Sequence, residues 1–189
     1  MNSISEKKLP GDFAIWIFIY AELLVFGVFF ASYAVTRSNH IELFNQSQLL
    51  LDRTAGMINT VVLITSSWFV VNAVHAIKAG KQNLSVRWLA GSIGMGGIFL
   101  GVKMFEFITK HNEGITLSTN KFYMFYLSLT FFHFMHVILG MVILAVILVM
   151  ARRGKYSATE YTGIETGASY WHMVDLVWII LFPLVYLIQ

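Results

Sequence analysis

The chain has 189 residues, 57% of them hydrophobic and 12% charged, with a formal net charge of +3. Soluble domains run about 45–50% apolar and about 25% charged, so both figures point to a membrane protein. No Lys/Arg-rich block suggests nucleic acid, and the lack of cysteine excludes disulfides, iron–sulfur clusters and thiolate copper or zinc sites.

A helix needs about 20 apolar residues to cross roughly 30 Å of hydrocarbon. Five stretches qualify, at 12–36, 56–77, 88–108, 122–150 and 170–188. Each must be helical, because its backbone polar groups find no water in lipid. The expected fold is an all-α membrane protein, a single five-helix domain over 1–189. Lys7 and Lys8 precede the first span without a short core and small-residue cleavage site, which reads as an anchor that stays.

The first span carries Glu22 about 15 Å deep at 1.5 Å per residue. At 100° per residue, Phe18, Glu22, Phe26, Phe29 and Tyr33 share one stripe, so the carboxyl sits in an aromatic face turned toward protein or a held lipid. A charged carboxylate there costs at least about 2.5–3.5 kcal/mol on insertion scales. Two readings stand: a protonated acid bonded to a neighbouring helix, or a proton-path or lipid-site residue. The connection at 37–55 contains IELFNQSQLLLD, a candidate short amphipathic surface helix.

In the second span Asn59, Ser66 and Ser67 offer interhelical hydrogen bonds. The third contains GSIGMGGIFLG, where Gly97 and Gly101 have the GxxxG spacing that lets helices approach closely. Lys103 and Glu106 lie near its outer end, where the lysine can snorkel and pair with the glutamate. The fourth span carries His133 and His136 centrally in TFFHFMHVILG. Histidines at i, i+3 can share a metal with carboxylates from other helices, or hydrogen-bond between helices. Depth argues against the metal, since Glu22 reaches their level and Asp175 lies near the cytoplasmic end.

The last span opens with His172 and Asp175, one turn apart and within about 8 Å of its inner end. Trp171, Asp175 and Trp178 share a face, as an interfacial anchor or docking element would. Tyr33, the FYMFY run at 122–126, Trp88 and Tyr186 sit near span ends, as an aromatic belt does. Eight Lys and Arg fall on the side of the N-terminus and four on the other, with Lys103 inside a span. The positive-inside rule then makes the N-terminus cytoplasmic and the C-terminus periplasmic.

IYAELLVFGVFFASY, HFMHVILG and ASYWHMVDLVWIILFPLVYL resemble the signature segments of the cytochrome c oxidase subunit III family, in order and across all five spans. The length resembles the short form that lacks the first two of the family's seven helices. ITSSWFVVNAVHAIKAG and the ending with Pro183 look most like the accessory branch associated with nitric oxide reductases. The resemblance implies a non-catalytic subunit of the bacterial inner membrane that packs beside a haem–copper catalytic subunit and cradles phospholipid. Haem and metal would belong to the partner, and none to this chain.

Glu22 matches the family's buried, carbodiimide-reactive glutamate, linked there to lipid contact and sustained proton uptake. His133, His136, His172 and Asp175 match family positions, to which a structural role is carried over. Three departures stand out: Phe131 and Phe132 where the family often has a glycine, Tyr20–Ala21 where a serine usually precedes the glutamate, and KMFEF where oxidases have a neutral glutamine near Lys103. They favour a nitric oxide reductase as host, with subunit III of an aerobic terminal oxidase as the alternative. Rivals of other classes are a transporter or proton channel using Glu22, His133 and His136, and a redox or metal protein in its own right.

Overall fold

The computed structural model describes residues 11–188; Lys7 and Lys8 lie outside them. The described residues form six α-helices: α1 (Phe13–Ser38), α2 (Ile41–Leu49), α3 (Arg53–Lys78), α4 (Gln82–Asn112), α5 (Lys121–Arg152) and α6 (Thr162–Phe182). A π-helical turn, Pro183–Leu187, follows α6. Five of these helices are long and apolar enough to cross a membrane, the last counted through Leu187. The all-α, five-span architecture is as expected, and α2 is the short helix foreseen in the 37–55 connection.

The helices run past the apolar stretches, because polar caps and turns, not hydropathy, end them. Asp52 caps α3 by accepting from Ala55 N at 3.0 Å, and Asn120 caps α5 by accepting from Tyr123 N at 2.8 Å. Helices α3, α4 and α5 close through Gly80, Gly114 and Gly154, all at positive φ. After each glycine the next amide donates to a carbonyl five residues back, as Lys81 N does to Ala76 O at 2.8 Å.

Helices α3, α4, α5 and α6 close into a ring in which each packs on two neighbours. Helix α1 lies outside, against α6 and α5, and is the least buried span, whereas α6 is the most buried. The α6 core explains the glycines. Trp171 fills the centre of the ring, and a Cβ on Gly140 would come within 2.8 Å of its ring and one on Gly96 within 3.0 Å. Gly97 and Gly101 instead face outward, where an added Cβ would meet nothing within 4 Å. The GxxxG spacing therefore serves no helix contact among the described residues; the tight approach is one residue away, at Gly96, where the indole lies.

Pro183 has no N–H to continue the α6 ladder, and the backbone widens to a π turn closed by Ile188 N donating to Pro183 O at 3.0 Å. Helix α2 folds across this end. Gln48 donates to Val185 O at 2.9 Å and to Tyr33 Oη at 3.3 Å, and Lys110 donates to Leu50 O at 3.1 Å. These bonds satisfy carbonyls that a helix end leaves open.

Candidate functional site

The bundle holds three groups of polar side chains away from its ends. In the first, Glu22 of α1 meets His136 of α5, with Oε2 2.9 Å from Nε2. His136 Nδ1 lies 2.8 Å from Phe132 O. A carbonyl only accepts, so Nδ1 carries a hydrogen and the Nε2–Oε2 contact holds a single proton. With the proton on oxygen both groups are neutral; with it on nitrogen they are an ion pair of the same heavy-atom geometry. Phe26 and Phe132 flank the imidazole at 5.2 and 4.6 Å between ring centres. The Glu22 side chain keeps 21% of its surface exposed, so the pair opens toward the outer face of the bundle. The aromatic stripe of α1 does turn inward: Phe26 and Tyr33 are buried, and Phe29 packs at 5.8 Å from Phe132.

In the second group, Lys103 of α4 is fully buried. Its Nζ donates to Glu106 Oε2 at 3.0 Å and to Tyr186 Oη at 2.8 Å. Glu106 Oε1 accepts from Tyr126 Oη at 2.5 Å and from Tyr186 Oη at 2.7 Å. The rings of Phe107, Tyr126, Trp178 and Tyr186 surround the ammonium at 5.4–5.5 Å. The expected Lys103–Glu106 pair exists, but the lysine does not snorkel. Helix α4 runs nine residues past it, about 13 Å, which places the pair inside the bundle, not at its rim. Enclosed charges require this full set of partners.

Tyr126 and Tyr186, expected in the aromatic belt, are thus buried ligands of a carboxylate. Tyr186 lies in the π turn and is buried there. Tyr33 also departs from the belt, since it is buried and bonded to Gln48.

The third group joins α3 to α6. Ser67 Oγ lies 2.6 Å from His172 Nδ1. Asp175, one turn on, is buried, and its Oδ1 has no hydrogen-bond partner among the described residues. Helix α6 starts at Thr162, eight residues before the apolar run, so His172 lies ten residues, about 15 Å, from its start, and it lines a pocket with His75, Lys78 and Glu165.

His133 lies apart from His136's bond. It is fully buried against Phe99 at 5.7 Å and Trp178 at 5.2 Å, and neither ring nitrogen has a hydrogen-bond partner among the described residues. The two histidines share Phe26 as a ring neighbour, at 6.5 and 5.2 Å, but only His136 is hydrogen-bonded. Among the described residues no group of three or more His, Asp or Glu side chains is arranged to hold a metal ion. Ser66 bonds Ser92 at 2.8 Å, the interhelical role expected of the α3 serines.

Apolar spans wrapped around buried, mutually bonded charges define a multi-pass integral membrane protein of a bacterial membrane. The sequence model of the family described as cytochrome c oxidase subunit III matches residues 8–189, and the chain belongs to that family. It is 36% identical to cytochrome c oxidase subunit 3 of Thermostichus vulcanus over 91% of this chain and 84% of that one. To the probable quinol oxidase subunit 3 of Staphylococcus aureus strain USA300 it is 28% identical, over 99% and 94%. It is 30% identical to the heme-copper oxidase subunit I+III of Aeropyrum pernix over 93% of this chain and 22% of that longer one.

Proposed function

We propose that the chain is subunit III of an aerobic haem–copper terminal oxidase, accepting electrons from cytochrome c or quinol through its partner subunits. The observation that carries this reading is the family match over nearly the whole chain, with relatives named for cytochrome c and quinol oxidases. The subunit is non-catalytic: it packs beside the catalytic subunit, which holds haem and copper, and it holds phospholipid. A relative named subunit I+III, matched over 22% of its length, supports adjacency to subunit I. The oxidase host replaces the nitric oxide reductase host as the main reading, because the relatives' names support it.

The lipid role is supported by an apolar groove of about 770 Å³ between α1, α4 and α5. Phe29, Phe107, Phe131 and Phe132 line it, and His111 and Thr116 lie at its polar end. Phe132 also flanks His136, so an acyl chain in the groove would lie beside the Glu22 pair. A nitric oxide reductase accessory subunit is the second reading, favoured by the KMFEF segment, where the oxidase pattern has a neutral glutamine near Lys103.

Blue-native electrophoresis of mildly solubilised membranes, with haem staining, tests the assignment. This chain should migrate with a haem-bearing band of much higher mass. Migration alone, with every haem band elsewhere, would refute both hosts.

A further inference from the structure

Holding lipid makes no use of the enclosed network around Glu106. A tyrosine gives up an electron readily only when its phenolic proton leaves with it, which needs a base within hydrogen-bond reach. Several phenols of this chain lack one. Tyr33 Oη accepts from the Gln48 amide, Tyr170 donates to the His136 carbonyl, and Tyr156 donates to the Met150 sulfur. Tyr123 Oη has no partner among the described residues. Tyr126 and Tyr186 differ, because both donate to one carboxylate oxygen, Glu106 Oε1, at 2.5 and 2.7 Å.

The base stands ready and the rings are joined. Lys103 Nζ donates to Glu106 Oε2 at 3.0 Å, so Glu106 accepts on both oxygens, as an ionised carboxylate does. The Tyr126 and Tyr186 ring centres lie 6.0 Å apart. Phe182 continues the series, 5.5 Å from Tyr186 and 6.4 Å from Trp178. The Trp178 indole N–H donates to the Thr60 hydroxyl, which is no base, so an electron vacancy in this series settles on the phenols.

We propose that Tyr126 and Tyr186 on Glu106 form a one-electron redox site that takes up stray oxidising equivalents from the partner's oxygen chemistry; the source of oxidant rests on the host reading above. A peroxide-derived one-electron oxidant gains an electron and Tyr126 loses it. The Tyr126 Oη–H bond breaks, and its proton forms an O–H bond at Glu106 Oε1, leaving a neutral phenoxyl radical. An electron from the donor that feeds the partner reverses the step, and the proton returns to Oη. Tyr186, bonded to the same oxygen, takes the same step by the same balance. While Glu106 holds the proton, Lys103 lacks its counter-charge and keeps only Tyr186 Oη and the four surrounding rings. The site therefore stores the equivalent briefly and favours its return.

The test uses the intact, oxidised complex captured on this chain, mixed with hydrogen peroxide, freeze-quenched and read by electron paramagnetic resonance. A tyrosyl signal that narrows when ring-deuterated tyrosine is incorporated is expected. Tyr126→Phe with Tyr186→Phe should lose part of that signal, and Tyr33→Phe none of it. In the wild type, peptide mass spectra after repeated peroxide exposure should show oxidised tyrosine at Tyr126 or Tyr186, which locates the site even if the double variant does not assemble. No tyrosyl signal, an equal signal in the assembled double variant, or oxidation confined to other tyrosines overturns the proposal. The haem spectrum of the same sample separates the two readings. Haem that responds to peroxide beside untouched Tyr126 and Tyr186 sinks the redox site alone, whereas a complex without haem sinks the host reading and the redox site with it.

Discussion

Lys103 is fully buried, and four hydrogen bonds among Lys103, Glu106, Tyr126 and Tyr186 answer its charge and that of Glu106. Removing one member of such a pair strands the other, which costs about 3–5 kcal/mol. Lys103→Met should therefore lower the thermal stability of the detergent-solubilised complex strongly. Lys103→Met with Glu106→Met should recover most of that loss, since an apolar replacement of both avoids a stranded charge. Equal destabilisation of the single and double variants would contradict this. Ser67→Ala should cost about 1–3 kcal/mol, because it leaves His172 Nδ1 without its partner on α3. Unchanged melting of Ser67→Ala would show that the Ser67–His172 bond contributes nothing.

At this scale the sequence indicates which residues are unusual, but not their partners. Glu22 is conspicuous from depth and its aromatic stripe. That His136, not His133, receives it depends on how α1 leans on α5, and the two histidines are too close in sequence for depth to separate them. The phenols of Tyr126 and Tyr186 carry the same composition signal as belt tyrosines. Only the π turn and the enclosed lysine distinguish them.

Among the elements, α6 organises the rest. Trp171 and Trp178 lie on one face of it, as the i, i+7 spacing indicates, and both are buried in the ring. The ring closes only where an opposing helix lacks a side chain. Gly140→Ala should therefore overpack the Trp171 indole and cost about 1–3 kcal/mol, read as a lower melting temperature. Gly97→Ala, which meets nothing within 4 Å, should leave melting of the chain unchanged. The reverse order would contradict the placement of Trp171.

The five spans are legible because hydrocarbon thickness fixes a long apolar run. Their ends are not: α4 and α5 run on to glycine turns, and α6 begins at Thr162, eight residues before its apolar run. Hydropathy alone therefore places Lys103 near the rim, when it is enclosed inside the bundle.

At the level of the whole molecule, four helices form a closed ring and α1 leans on it, exposing the Glu22 side and the apolar groove to lipid or a partner. As a subunit and not a transporter, the purified chain in liposomes should leave an imposed pH gradient standing. A flux abolished by Glu22→Gln would instead make the protein a transporter in its own right.

Service to an oxygen-reducing enzyme is tested most directly by the activity of the intact complex, captured on this chain from mildly solubilised membranes. Oxygen consumption with reduced cytochrome c or quinol as donor, accompanied by a haem spectrum, is the expected result. Reduction of nitric oxide without oxygen consumption would contradict the oxidase assignment and give the chain to the other host.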